Sequence, residues 1–161
     1  MITQENQDKI FLKQAIALAV ENVKTKQGGP FGAIIVKDNQ VIATGTNIVT
    51  QSNDPSAHAE ISAIRNACKK LNTFHLEDCT LYSSCEPCPM CLGAIYWAHI
   101  KRLIFAADKT QAAEAGFDDS FIYKEIELPY NKRKIDTLHC HEMEGNAPFE
   151  AWIASENKIT Y

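Results

Sequence analysis

Ser84-Cys85-Glu86-Pro87-Cys88-Pro89-Met90-Cys91, read together with His58-Ala59-Glu60, decides how this chain is organised. The two stretches supply a histidine, two thiolates and an adjacent carboxylate, the set a zinc ion needs to make water a nucleophile beside a proton carrier. His58, Cys88 and Cys91 are three ligands, so one coordination position stays open, as at catalytic rather than structural zinc. Two thiolates and a neutral imidazole leave the ion no net charge, so it acidifies water less than an all-histidine site would. A base must complete the deprotonation. Glu60, two residues past His58, suits that role, and one carboxylate can serve as both acid and base.

Local patterns place these residues on element ends. Asn53-Asp54-Pro55-Ser56 is turn and cap chemistry, and Ala59, Ile61, Ala63, Ile64, Ala67, Cys68 and Leu71 then recur at helical spacing. His58 and Glu60 are therefore expected in a helix's first turn. Thr80 to Ser83 reads as a short strand, Cys85-Glu86-Pro87 as a turn and Cys88 to Trp97 as a second helix. Cys88 and Cys91 fall near its N-terminus, where free N–H groups favour thiolate. A competing reading closes the site as a Cys₃His structural knot with Cys85. It leaves Glu60 without a role and crowds two-residue spacings onto one tetrahedral ion. Cys85 is read instead as a packed thiol, Cys68, Cys79 and Cys140 as small buried hydrophobes, and His75, His99, His139 and His141 as solvated or structural. Trp97 is expected in the core.

Outward from the motifs the punctuation is regular. Leu12, Ile16, Ala19, Val20 and Val23 mark one face of a helix that Gly28-Gly29-Pro30 ends. Phe31 to Lys37 and Val41 to Asn47 form a hairpin about Asp38-Asn39, and the run Ala33-Ile34-Ile35-Val36 predicts a strand covered on both faces. Arg102 to Ala107 is the next strand. Strands alternating with helices predict a layered α/β domain whose later strands pair in parallel.

The 161 residues, 45% of them hydrophobic, suit one domain over 1–161 with its own core. Met1 to Asp8 is polar and acidic, unlike a targeting peptide, and no apolar run approaches a membrane span. Six cysteines, half of them at the metal motif, suit a reducing compartment, and a cytoplasmic location is expected. A formal charge of -4 disfavours a large polyanion. Lys132-Arg133-Lys134 reads as a solvated loop beside Glu125 and Glu127.

The spacing H-x-E followed by P-C-x-x-C resembles the cytidine deaminase-like superfamily of zinc-dependent nucleobase deaminases. Gly28 to Ala33, Ser52 to Ile64 and Ser84 to Trp97 are similar to guanine deaminases and tRNA adenosine deaminases alike. Ala113 to Glu125, which includes Gly116-Phe117-Asp118-Asp119, is similar to small bacterial guanine deaminases and unlike the tRNA enzymes. Glu127 to Asn146 matches less clearly.

This resemblance implies a three-layer fold, a five-stranded mixed sheet flanked by helices, and a homodimer with exchanged C-terminal segments. It implies one zinc per subunit on His58, Cys88 and Cys91, with Glu60 as the catalytic proton carrier. Asn47, Asp119, Phe31 and Ala59 would meet a small purine base, and Tyr161 would reach it from the other subunit. Asn47 can donate and accept, whereas a carboxylate only accepts, so Asn47 and Asp119 make a complementary pair for guanine's rim. On the residues alone, Asn47 also reads as a strand terminator, and Asp118 and Asp119 as a helix cap. The expected reaction is guanine plus water to xanthine and ammonia. The alternatives are tRNA adenosine, guanosine or another aminated heterocycle as substrate, or a zinc module without catalysis.

Overall fold

The computed structural model describes residues 3–161. Met1 and Ile2, the start of the polar leading stretch, lie outside the described residues. The rest of that stretch is helical: α1 runs Gln4–Lys24, capped by Thr3, whose Oγ1 accepts from the Asn6 N–H at 3.3 Å. Hydrophobic spacing finds α1 from Leu12 but puts its packed face wrongly. Ile16, Val20 and Val23 are 38%, 47% and 48% exposed, and the helix buries Phe11, Ala15, Ala19 and Asn22 instead, because small side chains let its backbone lie close on the sheet.

The backbone divides into two compact units, Met1–Asp119 and Ser120–Tyr161. In the first, β1 (Gly32–Lys37) and β2 (Gln40–Thr46) form the expected hairpin. Asp38 and Asn39 turn with φ of 49° and 58°, the left-handed pair that suits the twist of a two-residue hairpin. A short α2 (Val49–Ser52) leads to α3 (Ala59–Leu71), β3 (Thr80–Cys85), α4 (Pro89–Trp97), β4 (Arg102–Ala107) and α5 (Lys109–Glu114). The sheet order is β2-β1-β3-β4, with β1 antiparallel to both neighbours and β3 parallel to β4.

β1 is buried on both sides. Ala33 and Ile35 pack with Leu81 against Ala59, Ala63 and Ala67 of α3 and Ile95 of α4. Ile34 and Val36 pack with Tyr82 against Phe11 and Ala15 of α1. The result is three layers, helix, sheet and helices. The alanine stripe of α3 lets backbones meet closely: a Cβ on Gly45 in β2 would lie 2.2 Å from the Ala59 carbonyl oxygen, so only glycine fits there.

Two expectations change. The implied fifth strand is absent among the described residues, and the sheet has four strands. Directly after β4, Asp108 caps α5 through a reciprocal pair of bonds with Gln111, which takes the chain out of the sheet. Trp97 is 67% exposed rather than core, because α4 buries Cys91 and Ile95 and Trp97 points away from that face. Cys140 is likewise exposed, Cys68 half-buried and Cys79 buried. No helix among the described residues is long and apolar enough to cross a membrane.

The second unit holds α6 (Ser120–Glu127), a 3-10 turn at Tyr130–Lys132 and α7 (Ala147–Ala154). Arg133 is tied to it by bonds to the Leu128 and Ile126 carbonyls, and Glu125 accepts from the Lys134 N–H. The basic run is exposed, as expected of a solvated loop.

Candidate active site

Both halves of the motif sit where a helix begins. His58 is the N-cap of α3 and Cys88 the N-cap of α4, and neither side chain makes a capping hydrogen bond. The caps are spent on each other instead. His58 Nδ1 lies 3.6 Å from Cys88 Sγ and 3.5 Å from Cys91 Sγ. The loop before His58 is fixed by Asp54, which accepts from the backbone and hydroxyl of Ser56 at 2.8 and 2.7 Å. Pro89 starts α4 at a position that needs no N–H partner.

The three donors fit zinc. Tetrahedral bonds of about 2.3 Å to sulfur and about 2.0 Å to nitrogen put S and N about 3.5 Å apart. The observed separations match that value, and all three donor atoms lie within 4.8 Å of one another. Cys85 is not in this group. Its thiol is buried at the end of β3 and directed at the Asp108 carbonyl, 3.7 Å away.

Electrostatics favour metal at this place. Hydrogen bonding from Cys91, outweighing burial and helped by His58, brings the Cys88 thiol down to about 4. Cys91 keeps its proton, held by its bond to Cys88, by burial and by the Glu60 carboxylate. His58 is raised by the Cys88 thiolate against the opposing effect of burial. A divalent cation held by His58, Cys88 and Cys91 would replace the shared proton and offset the negative charge gathered there.

Glu60 is 4% exposed, and burial pushes its carboxyl up. Oε1 accepts from Ser83 Oγ at 3.0 Å, while Oε2 lies 3.3 Å from Cys91 Sγ. The alternation of β3 makes this possible. Leu81, Ser83 and Cys85 face α3, whereas Tyr82 and Ser84 face α1, and Ser84 Oγ accepts from the Gly32 N–H at 3.0 Å.

A cavity of about 620 Å³ opens on these groups, lined by Phe31, Asn47, His58, Glu60, Cys88 and both Asp118 and Asp119 among others. Asp119 is half-buried and Asp118 exposed; burial, then the nearby Cys88 charge, pushes the Asp119 carboxyl up. Ala59 is fully buried with its methyl in the core, so what it can offer a ligand is its backbone N–H at the start of α3. Tyr161 lies in the second unit and is 72% exposed.

Three contributors escaped the sequence reading. Phe117 stands edge-on to Phe31 with ring centroids 4.9 Å apart and lines the same cavity. Ser83 sits in a strand with Thr80 and Ser84, and nothing local singles it out among these hydroxyls. Asn22 is buried on α1, and its signal was a polar residue following Ala15 and Ala19 on the packed face.

Residues 5–107 match the model of the cytidine and deoxycytidylate deaminase zinc-binding region. The chain is 59% identical over 151 residues to the guanine deaminase of Bacillus subtilis, covering 94% of this chain and 97% of that protein. The crystal structure of a guanine deaminase from the same species superposes with a TM-score of 0.93 at 58% identity, over 95% of this chain and 98% of the other. The tRNA-specific adenosine deaminase of Aquifex aeolicus is 45% identical over 60% of this chain and 64% of its own length. Zinc-matched donors, a buried carboxylate beside them and these likenesses agree: the chain belongs to the cytidine and deoxycytidylate deaminase family and binds zinc as its members do.

Proposed function

We propose that the protein is a zinc-dependent aminohydrolase converting guanine and water to xanthine and ammonia. The observation that carries this reading is the buried Glu60 carboxylate beside the His58, Cys88 and Cys91 donors, in a cavity walled by Asn47, Asp119 and Phe31. The identity to a guanine deaminase over nearly the whole chain gives the base.

When bound, zinc supplies an acidified water and fixes it beside the base. Glu60 would take the water's first proton and pass it to the ring nitrogen next to C2 as the oxygen adds there. It would then take the second from the added hydroxyl and deliver it to the 2-amino group, which leaves as ammonia as the C2 carbonyl forms. Ser83 occupies Oε1, so Oε2 is the oxygen that carries the proton. Cys88 and Cys91 would hold the metal as thiolates, which would free Oε2 from the Cys91 thiol that faces it at 3.3 Å. Burial raises the carboxyl, which favours the protonated form that Glu60 must pass through. The first N–H groups of α3 and α4 offer donors to the oxygen added at C2.

In this reading Asn47 and Asp119 hold the rim of the base, Phe31 stacks on its face, and the backbone of Ala59 meets it from the metal side. The working form is a homodimer with exchanged tails, in which Tyr161 closes the partner's cavity. Phe149, Ile153 and Ile159 of the second unit are 66%, 71% and 68% exposed, apolar area that a second chain would cover. All six cysteines are free thiols, which suits a reducing cytoplasm.

The test is ammonia release by purified, zinc-loaded protein offered guanine, guanosine, adenine, cytosine, cytidine and a tRNA anticodon stem. Guanine should be turned over fastest. Preference for the tRNA stem would move the protein to the adenosine-editing branch, and release from none would leave a zinc module without catalysis.

A further inference from the structure

The buried face of α1 comprises Phe11, Ala15, Ala19 and Asn22, so one side chain on it is polar. Asn22 is 4% exposed, and its amide nitrogen donates to two backbone carbonyls, Gly29 and Asn47, at 2.8 Å each. Those carbonyls belong to the two segments that wall the cavity beside the metal donors. The segments are tightly apposed: a Cβ on Gly28 would lie 2.0 Å from the Asn47 carbonyl oxygen and 3.2 Å from Asn22 Nδ2. Packing alone does not call for an amide here, since Ala15 and Ala19 serve the same face, and burying a polar group is costly unless its bonds are made.

The fixed backbone dictates how the Asn47 side chain is turned. Its Oδ1 faces the N–H groups of Gly29 and Val49, each 3.4 Å away. An N–H can approach the oxygen of an amide but not its NH₂ group. Nδ2 is therefore the end of Asn47 left to serve a ligand in the cavity, as a donor.

We propose that Asn22 is a positioning residue: by clamping the carbonyls of Gly29 and Asn47 it keeps the Asn47 amide presented as a hydrogen-bond donor, and so selects a base bearing an acceptor oxygen at that edge. The identity of the base rests on the guanine reading above; the clamp does not. A 6-oxo purine satisfies the donor, whereas a purine with hydrogen at C6 leaves it unpaired at a buried site.

Hypoxanthine and unsubstituted purine separate these effects, because both lack the 2-amino group and differ at C6. Their dissociation constants are measured by calorimetry on the zinc-loaded protein, on Asn22→Ala, and on Asn22→Ser, which restores one donor. The unmodified protein should bind hypoxanthine about tenfold more tightly than purine, the worth of one well-placed hydrogen bond. Asn22→Ala should erase most of that ratio while zinc stays at one per chain, and Asn22→Ser should recover part of it. With guanine as substrate, Asn22→Ala should raise KM by about tenfold and change kcat much less. A merely structural asparagine would lower the melting temperature of the variants and leave the hypoxanthine-to-purine ratio untouched, and that result overturns the proposal. Absence of the preference in the unmodified protein overturns it without any variant. A protein that shows the clamp-dependent preference yet releases no ammonia from guanine overturns the guanine reading alone.

Discussion

Ser83 Oγ donates to Glu60 Oε1 across 3.0 Å, with both side chains buried and the two residues on different elements. The bond joins the strand that ends at the metal loop to the helix that begins at the metal histidine. It leaves the second carboxylate oxygen as the one facing the zinc donors. Ser83→Ala removes the donor and strands a buried acceptor, at a cost of about 1 to 3 kcal/mol in stability. Turnover should fall by about tenfold because the carboxylate loses its fixed orientation. Chemical denaturation and steady-state kinetics on the zinc-loaded variant check both, and unchanged kcat would show that packing alone orients Glu60.

Glu60→Gln keeps the size of the side chain and abolishes proton transfer. Zinc content should remain one per chain while guanine turnover drops by roughly 10²-fold or more. Metal analysis with ammonia assay reads both, and circular dichroism controls for the fold. Near-normal turnover would remove Glu60 from the chemistry.

Cys85 and Cys88 should part company. Cys85→Ser should retain zinc and activity, because its thiol is directed at the Asp108 carbonyl and lies outside the donor group. Cys88→Ser should lose both and lower the melting temperature, since metal affinity adds to folding stability. Zinc loss in the Cys85 variant would restore the closed four-ligand site.

Acid stability has an identifiable contributor away from the cavity. Asp8 on α1 accepts from Arg102 Nη1 of β4 at 2.8 Å and from the Tyr82 hydroxyl of β3 at 2.7 Å. Arg102, outweighing the burial that opposes it, holds the Asp8 carboxyl well below the usual carboxylate range. Because the folded value lies below the unfolded one, this stability is fully present above about pH 4 and is lost as pH falls toward the depressed folded value. Asp8→Asn should cost about 1 kcal/mol at neutral pH, a small figure because Arg102 is more than a third exposed and screened by water. Its stability should fall less steeply than the unmodified protein's below about pH 4. Parallel slopes in urea unfolding from pH 6 to pH 3 would refute the assignment.

Deleting Tyr161 tests the exchanged tail. Guanine activity should fall severely while zinc content and dimer mass hold, since one terminal residue adds little to a core. The decisive form mixes chains: Glu60→Gln with its tyrosine intact, co-refolded with an otherwise unaltered chain lacking Tyr161, should recover one working site per mixed dimer. Mixed dimers that recover nothing would show that the tyrosine does not act across subunits.

Sequence by itself determined the parts whose signal is local. The hairpin about Asp38-Asn39, the doubly buried run Ala33 to Val36 and the helices starting at His58 and Cys88 follow from periodicity and turn chemistry, which act over a few residues. The metal donors were legible for the same reason, because a histidine and a pair of cysteines at fixed spacing have few other uses. Tertiary structure alone decided what depends on distant segments meeting. That Ser83 rather than a neighbour reaches Glu60 follows from the antiparallel register of β1 and β3, which puts Ser83 opposite Ala33 on the face toward α3. That Asn22 holds Asn47, 25 residues away, follows from the packing of α1 on the sheet. Trp97 looked like core by residue type and is exposed because α4 has only one face against the sheet. A side chain's chemistry is written in the sequence, but its partner is fixed by which surfaces the fold brings into contact.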